Sequence, residues 1–207
     1  MQEDDLCRRA AEDREREKEM TLGEGKKKVY ELLDEYSSGG EITVDDDIEL
    51  KLADFFDMAQ KRVAQVKRIL AIKEIKRRDG VTEYAMPSGF GSLYRVWRDG
   101  QVTNRYRWKQ GKIVIPEGDS AAKIEIEYFK IPDTINADMD DETEFEVDED
   151  AAQAMPYYVA AQHLFPDLVV DYGAYMQEFN SILASLDTRI PGSSGGGGLQ
   201  NTFFRGG

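Results

Sequence analysis

The residues with the widest chemical scope lie in two arginine–aromatic runs, Tyr94-Arg95-Val96-Trp97-Arg98 and Arg105-Tyr106-Arg107-Trp108. Bases stack on rings and phosphates meet guanidinium groups, so Arg95, Trp97, Arg105 and Arg107 describe a platform for single-stranded nucleic acid. Strand alternation, however, sets Tyr106 and Trp108 on one face and Arg105 and Arg107 on the other. A half-buried sheet with aromatics inward and arginines outward gives the same pattern. A net charge of −14 also opposes binding to a polyanion. The structural reading of these strands takes precedence, with a nucleic-acid-binding module as the alternative.

A second candidate is acidic. Asp138, Asp140, Glu142, Glu144, Glu146 and Glu149 follow the one-three-five-seven-nine-twelve spacing of a calcium loop. The sixth position of that loop needs glycine for a sharp turn, and here it is Thr143. Six acids would also overcharge the site, so the segment reads as an acidic linker that caps the next helix. His163 is the only histidine, and no serine, cysteine or second histidine stands in a recognisable relation to it. Ser88-Gly89-Phe90-Gly91-Ser92 sits between strands and does not open a helix, so it is no phosphate cradle. The sequence has no Walker, zincin or nucleophile-elbow motif. We therefore expect no enzyme, no cofactor and no metal.

The charge is unevenly placed. From Lys61 to Lys112 there are fourteen Lys/Arg and four Asp/Glu, a local +10 that leaves −24 elsewhere. Such opposed fields favour ordered association between copies or with a partner; solvated helix faces are the plainer account. No apolar run reaches the roughly 20 residues of a membrane span, and the N-terminus lacks the pattern of a secretory signal. The single Cys7 excludes an internal disulfide framework and points to a reducing compartment.

The elements that must position these residues follow from periodicity. Residues 1–20 form a charged extension with almost no apolar stripe. It is either an exposed or partner-bound appendage, or upstream of a start at Met20. Residues 21–70 make a first helical half. Thr21 and Glu24 have capping-box spacing, and Gly39-Gly40 ends the first helix. Ile48, Leu52, Phe55, Ala59, Val63, Val66 and Leu70 form the stripe of a second. Residues 71–131 change to a period of two, with turn dipeptides Asp79-Gly80, Asp99-Gly100 and Gln110-Gly111. They predict an inserted antiparallel sheet of four to six strands, or a small sandwich, with Val102, Asn104, Tyr106 and Trp108 on one strand. Residues 132–188 supply the acidic linker and a second helical half, with Pro156 at a kink or a first turn and Tyr172, Met176, Phe179, Leu183 and Leu186 as the last stripe. Residues 189–207 are a Gly-rich tether carrying Leu199, Phe203 and Phe204, a short apolar plug. The fold class is α+β: a bundle of about four helices with an inserted antiparallel β domain.

Several segments together resemble the head-to-tail adaptor (connector or neck) proteins of tailed bacteriophages. They are Met20-Thr-Leu-Gly, Tyr30-Glu-Leu-Leu-Asp-Glu and Met86-Pro-Ser-Gly-Phe. A fourth is the strand Lys123–Lys130, which ends in Tyr128-x-x-x-Pro132 and leads through acids to Met155-Pro-Tyr-Tyr-Val-Ala-Ala. The resemblance covers about residues 20–187. It implies a structural protein of the virion neck, assembled in the host bacterial cytoplasm. It further implies a ring of about twelve copies under the portal protein, a downstream tail or nozzle protein, and packaged DNA passing through without sequence-specific binding. By the same analogy Leu199, Phe203 and Phe204 would dock on the portal or a neighbouring copy.

Overall fold

A computed structural model describes residues 19–33, 46–78, 80–116, 121, 123–164 and 171–188. These fall in one unit, Lys18–Leu186, apart from the exposed Asp187 and Thr188. Gly39-Gly40 and the expected tail plug Leu199, Phe203 and Phe204 lie outside the described residues.

Helix α1, Leu22–Leu32, starts where the sequence places it. The Thr21 side chain accepts from the Glu24 N–H at 3.2 Å, and the Thr21 N–H donates to the Glu24 carboxylate at 3.1 Å. This reciprocal box satisfies two of the donors that a helix start leaves open. Helix α2, Asp46–Val66, stops short of the expected Leu70. Ile69-Leu70-Ala71-Ile72 instead opens strand β1, Ile69–Glu74, because its apolar, partly β-branched run pairs with a long-range partner. The fully buried ring of α2 is Phe56, whereas Phe55 is only partly covered.

Strands β2 (Glu83–Ala85), β3 (Phe90–Arg98), β4 (Gln101–Val102), β5 (Arg107–Lys109), β6 (Lys112–Val114) and β7 (Ile124–Lys130) follow. They form two antiparallel sheets, ordered β1-β7-β3-β4 and β2-β6-β5. Arg98 pairs with Gln101 and Lys109 with Lys112 across two-residue turns. In these turns Asp99 and Gly100, and likewise Gln110 and Gly111, take positive φ. That is the left-handed geometry whose twist matches a hairpin. The expected continuous strand from Val102 to Trp108 is divided between the two sheets. Thr103 Oγ1 accepts from the Arg105 N–H, and the Asn104 carbonyl accepts from the Tyr106 N–H, turning the chain between them.

The sheets meet face to face around Ile113, Ile115, Val96, Ile124, Ile126 and Tyr128, so the β insert is a small sandwich. The chain needs glycine on both sides of Phe90 for closeness. A Cβ on Gly89 would lie 2.9 Å from the Ile131 carbonyl oxygen, and one on Gly91 would lie 2.9 Å from that of Phe129.

Three helices complete the fold: α3 (Glu149–Ala152), α4 (Met155–Leu164) and α5 (Asp171–Ser185). Pro156 sits in the first turn of α4, where its missing N–H costs nothing. Helices α1, α2 and α5 all pack on α4. Phe179 of α5 reaches Tyr158 of α4 at 5.1 Å between ring centres, and Phe56 stacks on Phe145 of the linker at 5.4 Å. The α2 and α5 stripes thus share one core, built on α4.

Candidate functional site

The register separates the arginine–aromatic residues. In the four-stranded sheet Val96 faces inward opposite Ile126, so Arg95 and Trp97, opposite Glu127 and Glu125, face outward. A bulge between Leu93 and Arg95 also turns Tyr94 outward, against the alternation that would pair it with Val96. There Tyr94 lies 5.2 Å from Phe129, and the Arg95 guanidinium folds back over the Tyr94 ring at 4.4 Å while donating to its hydroxyl. Trp97 Nε1 donates to the buried carboxylate of Glu127 at 3.1 Å. Trp97 is therefore an outward residue on the face of Arg95, as alternation about Val96 requires, and the pattern of aromatics inward and arginines outward fails on this strand.

Arg105 lies in the connection between the sheets, and Arg107 lies on the outer face of the three-stranded sheet beside Val114. Trp108 points to the opposite side, stacked on Phe90 at 5.5 Å yet half exposed at the sheet edge. The structure thus brings Arg95 and Trp97 together and sets Arg105 and Arg107 apart from them. The three-stranded sheet carries its own charge triad. Lys109 and Lys112 flank the Glu83 carboxylate at 2.8 and 3.3 Å, and those hydrogen bonds, Lys109's first, hold it below its usual range.

The acidic segment 132–150 is a clasp around the helices. Its carboxylates diverge: Asp141 goes to Lys26 at 2.8 Å, and Asp148 and Asp150 go to Lys67 at 2.9 and 2.7 Å. Asp133 and Glu146 share Lys130 at 3.2 and 2.6 Å. Burial pulls the Lys130 ammonium down, but the hydrogen bonds to Glu146 and Asp133 outweigh it and raise it. The Asp148 carboxylate makes no cap hydrogen bond to α3, so the expected capping role passes to its carbonyl, which accepts from Ala151 and Ala152. Among the described residues no three His, Cys, Asp or Glu converge to hold a metal ion. His163 is half buried in the last turn of α4.

One residue essential to this clasp escapes sequence reasoning. Gln60 of α2 is buried; its Nε2 donates to the Asp133 carbonyl at 3.3 Å and its Oε1 accepts from the Glu146 N–H at 2.8 Å. It fastens both ends of the linker to the helix. The only signal was a glutamine beside the apolar stripe, which exposed helices also carry. The N-terminal side is strapped as well: Leu22 N–H donates to the Thr143 carbonyl and Phe145 N–H to that of Met20, a one-bridge sheet at Thr21 and Glu144.

These features describe a scaffold whose described surfaces are shaped by charge and strand edges. No helix among the described residues is long and apolar enough to cross a membrane. No curated protein matches the chain. The model of the SU10 adaptor protein family matches residues 20–198, which include the strapped start, both helical halves and the sandwich. The chain belongs to the SU10 adaptor protein family, a family of phage head-to-tail adaptors.

Proposed function

We propose that this adaptor forms a ring of about twelve copies beneath the portal, where it extends the DNA channel and offers the attachment site for a downstream tail or nozzle protein. The family match over residues 20–198 is the observation that carries the reading. A ring needs heterologous contacts, so each copy must present two different and complementary surfaces. The basic block from Lys61 to Lys112 and the acidic remainder favour such an arrangement. Acidic residues along the channel repel phosphate, so the packaged DNA passes without sequence-specific binding. The protein resides in the virion neck after assembly in the host cytoplasm, and it acts by geometry without turnover.

The Gly-rich tail is the proposed docking arm, with Leu199, Phe203 and Phe204 seated on the portal or an adjacent copy. Burying one phenylalanine contributes roughly 1.5–3 kcal/mol, enough for three apolar groups to offset the ordering of a short tether. The alternative is a single-stranded nucleic-acid module built on Arg95, Trp97, Arg105 and Arg107. It is weakened by their separation, with Arg95 and Trp97 on one sheet, Arg107 on the other and Arg105 in the connection between them.

Electron microscopy of the full chain mixed with its portal ring tests the proposal. The expected image is a second ring coaxial with the portal. A chain lacking residues 191–207 should melt as the full chain does yet fail to stay on the portal. Monomers beside bare portals would overturn the ring, and normal assembly of the truncated chain would overturn the arm.

A further inference from the structure

Among the described residues the four-stranded sheet has two open edges, and their details match each other. Ile75 N–H donates to the Ile124 carbonyl at 2.9 Å, which fixes the hydrogen-bonding phase between β1 and β7. Antiparallel pairing alternates, so Ala71 and Lys73 bond inward to β7 while Leu70, Ile72 and Glu74 turn their N–H and C=O groups to the free edge. At the other edge, Thr103 N–H donates to the Val96 carbonyl at 2.9 Å, so Val102 turns its backbone groups outward. An unprotected edge of this kind is a template for another strand.

The side chains agree with the backbone. Ile72 pairs with Glu127 and Val102 with Trp97, and both lie on the outer face that carries Glu125 and Glu127. They are also the two most exposed large hydrophobic residues among those described, at 63% and 56%. One stands at each edge of the same sheet, on the same face.

Resting on the ring reading above, we infer that the sheet of one copy continues into the next, with Ile69–Glu74 pairing with the Gln101–Val102 strand of a second copy. Strand directions alternate from β1 through β7 and β3 to β4, so joining β4 of one copy to β1 of another continues the antiparallel order. Val102 opposite Ile72 buries the two exposed aliphatic groups against each other. The same register sets Gly100 opposite Glu74 and Gln101 opposite Lys73, so no like charges face across the junction, and it carries Asp99 towards Lys76. One edge differs from the other, so the contact is head-to-tail, the kind that closes a ring by rotation. A nucleic-acid strand has no backbone N–H to complete this ladder, which favours a polypeptide edge.

Paired cysteines test the contact. In a chain with the one native cysteine removed (Cys7→Ser), Ile72→Cys with Val102→Cys should give, under oxidation beside the portal ring, a reducible ladder of oligomers made of this chain alone. Each single cysteine should give none. Ile72→Pro should fold and melt close to the wild type, because proline is tolerated where an edge N–H faces solvent, and should lose ring assembly. Wild-type rings with no ladder, and Ile72→Pro rings like the wild type, would overturn the strand contact and leave the ring reading standing. Crosslinks from position 72 to the portal in place of position 102 would give the edge to another occupant and overturn it too. Wild-type monomers beside the portal would sink both.

Discussion

Replacing Phe56 by alanine should unfold this protein more readily than any neighbouring change on α2. The ring is completely buried and stacks on Phe145, whose strand-like segment straps the N-terminal start of α1. A Cβ on Gly25 would come within 3.0 Å of the Phe56 ring, so α1 approaches here because that glycine makes room. Removing a buried phenylalanine costs about 3–5 kcal/mol, from lost transfer and the cavity left behind. In a domain of this size each kcal/mol lowers the melting midpoint by about 2–4 °C, so the expected drop is on the order of 6–20 °C. Phe55→Ala is the internal control: its ring is only partly covered, and truncation should cost about half as much or less. Urea melts followed by circular dichroism should shift the midpoint and leave the slope unchanged. A Phe55→Ala variant that loses as much stability as Phe56→Ala would refute the face assigned to α2.

Three further outcomes are expected. Burial first, then the carboxylates of Glu144, Asp148, Glu149 and Glu146, raise Glu19 above 4.5. A carboxyl raised in the folded state is penalised when ionised, so Glu19→Gln should raise the melting midpoint at pH 7, with the gain fading as pH falls through the raised value towards 4.5. Calcium titration by calorimetry should show only weak, salt-sensitive heats, because Asp133, Asp141, Glu146, Asp148 and Asp150 are turned towards lysines and no three acids converge among the described residues; a saturable micromolar site would contradict this. Duplex DNA should bind poorly at physiological salt; tight binding abolished by Arg95→Ala with Arg105→Ala and Arg107→Ala would favour the nucleic-acid module instead.

Local chemistry was the legible part of this fold. The capping box at Thr21, the two left-handed turns at Asp99-Gly100 and Gln110-Gly111, and the first-turn Pro156 each depend on a few adjacent residues, and each stands where the sequence put it. What failed depends on partners far along the chain. Phe55 and Phe56 both flank one helical stripe, and the choice between them was made by Gly25 and Phe145. Leu70 continued that stripe in sequence but belongs to a strand because Phe129 lies across from it. The bulge at Tyr94 reversed one side chain against its neighbours, and no local turn residue announced it.

The same distinction bears on the charge argument. Counted along the chain, acids outnumber bases heavily outside the β insert, which suggests a free acidic surface. In the fold, much of the linker's charge is spent internally on Lys26, Lys67 and Lys130, and only Lys67 belongs to the basic block. Arg105, Arg107, Lys73, Lys76 and Arg78 stay exposed on the sandwich, while Asp138, Glu142 and Glu144 stay exposed on the linker's outer side. Lys26 and Lys130 are already counted in the −24, so only the Lys67 pairs join the two blocks, and exposed ion pairs contribute about 0–1 kcal/mol each. Charge of this size can steer and orient copies as they meet, but it cannot by itself hold a ring together. An adaptor built this way needs hydrogen-bonded and apolar contacts for cohesion, and among the described residues the open edges at Ile72 and Val102 offer both in one place.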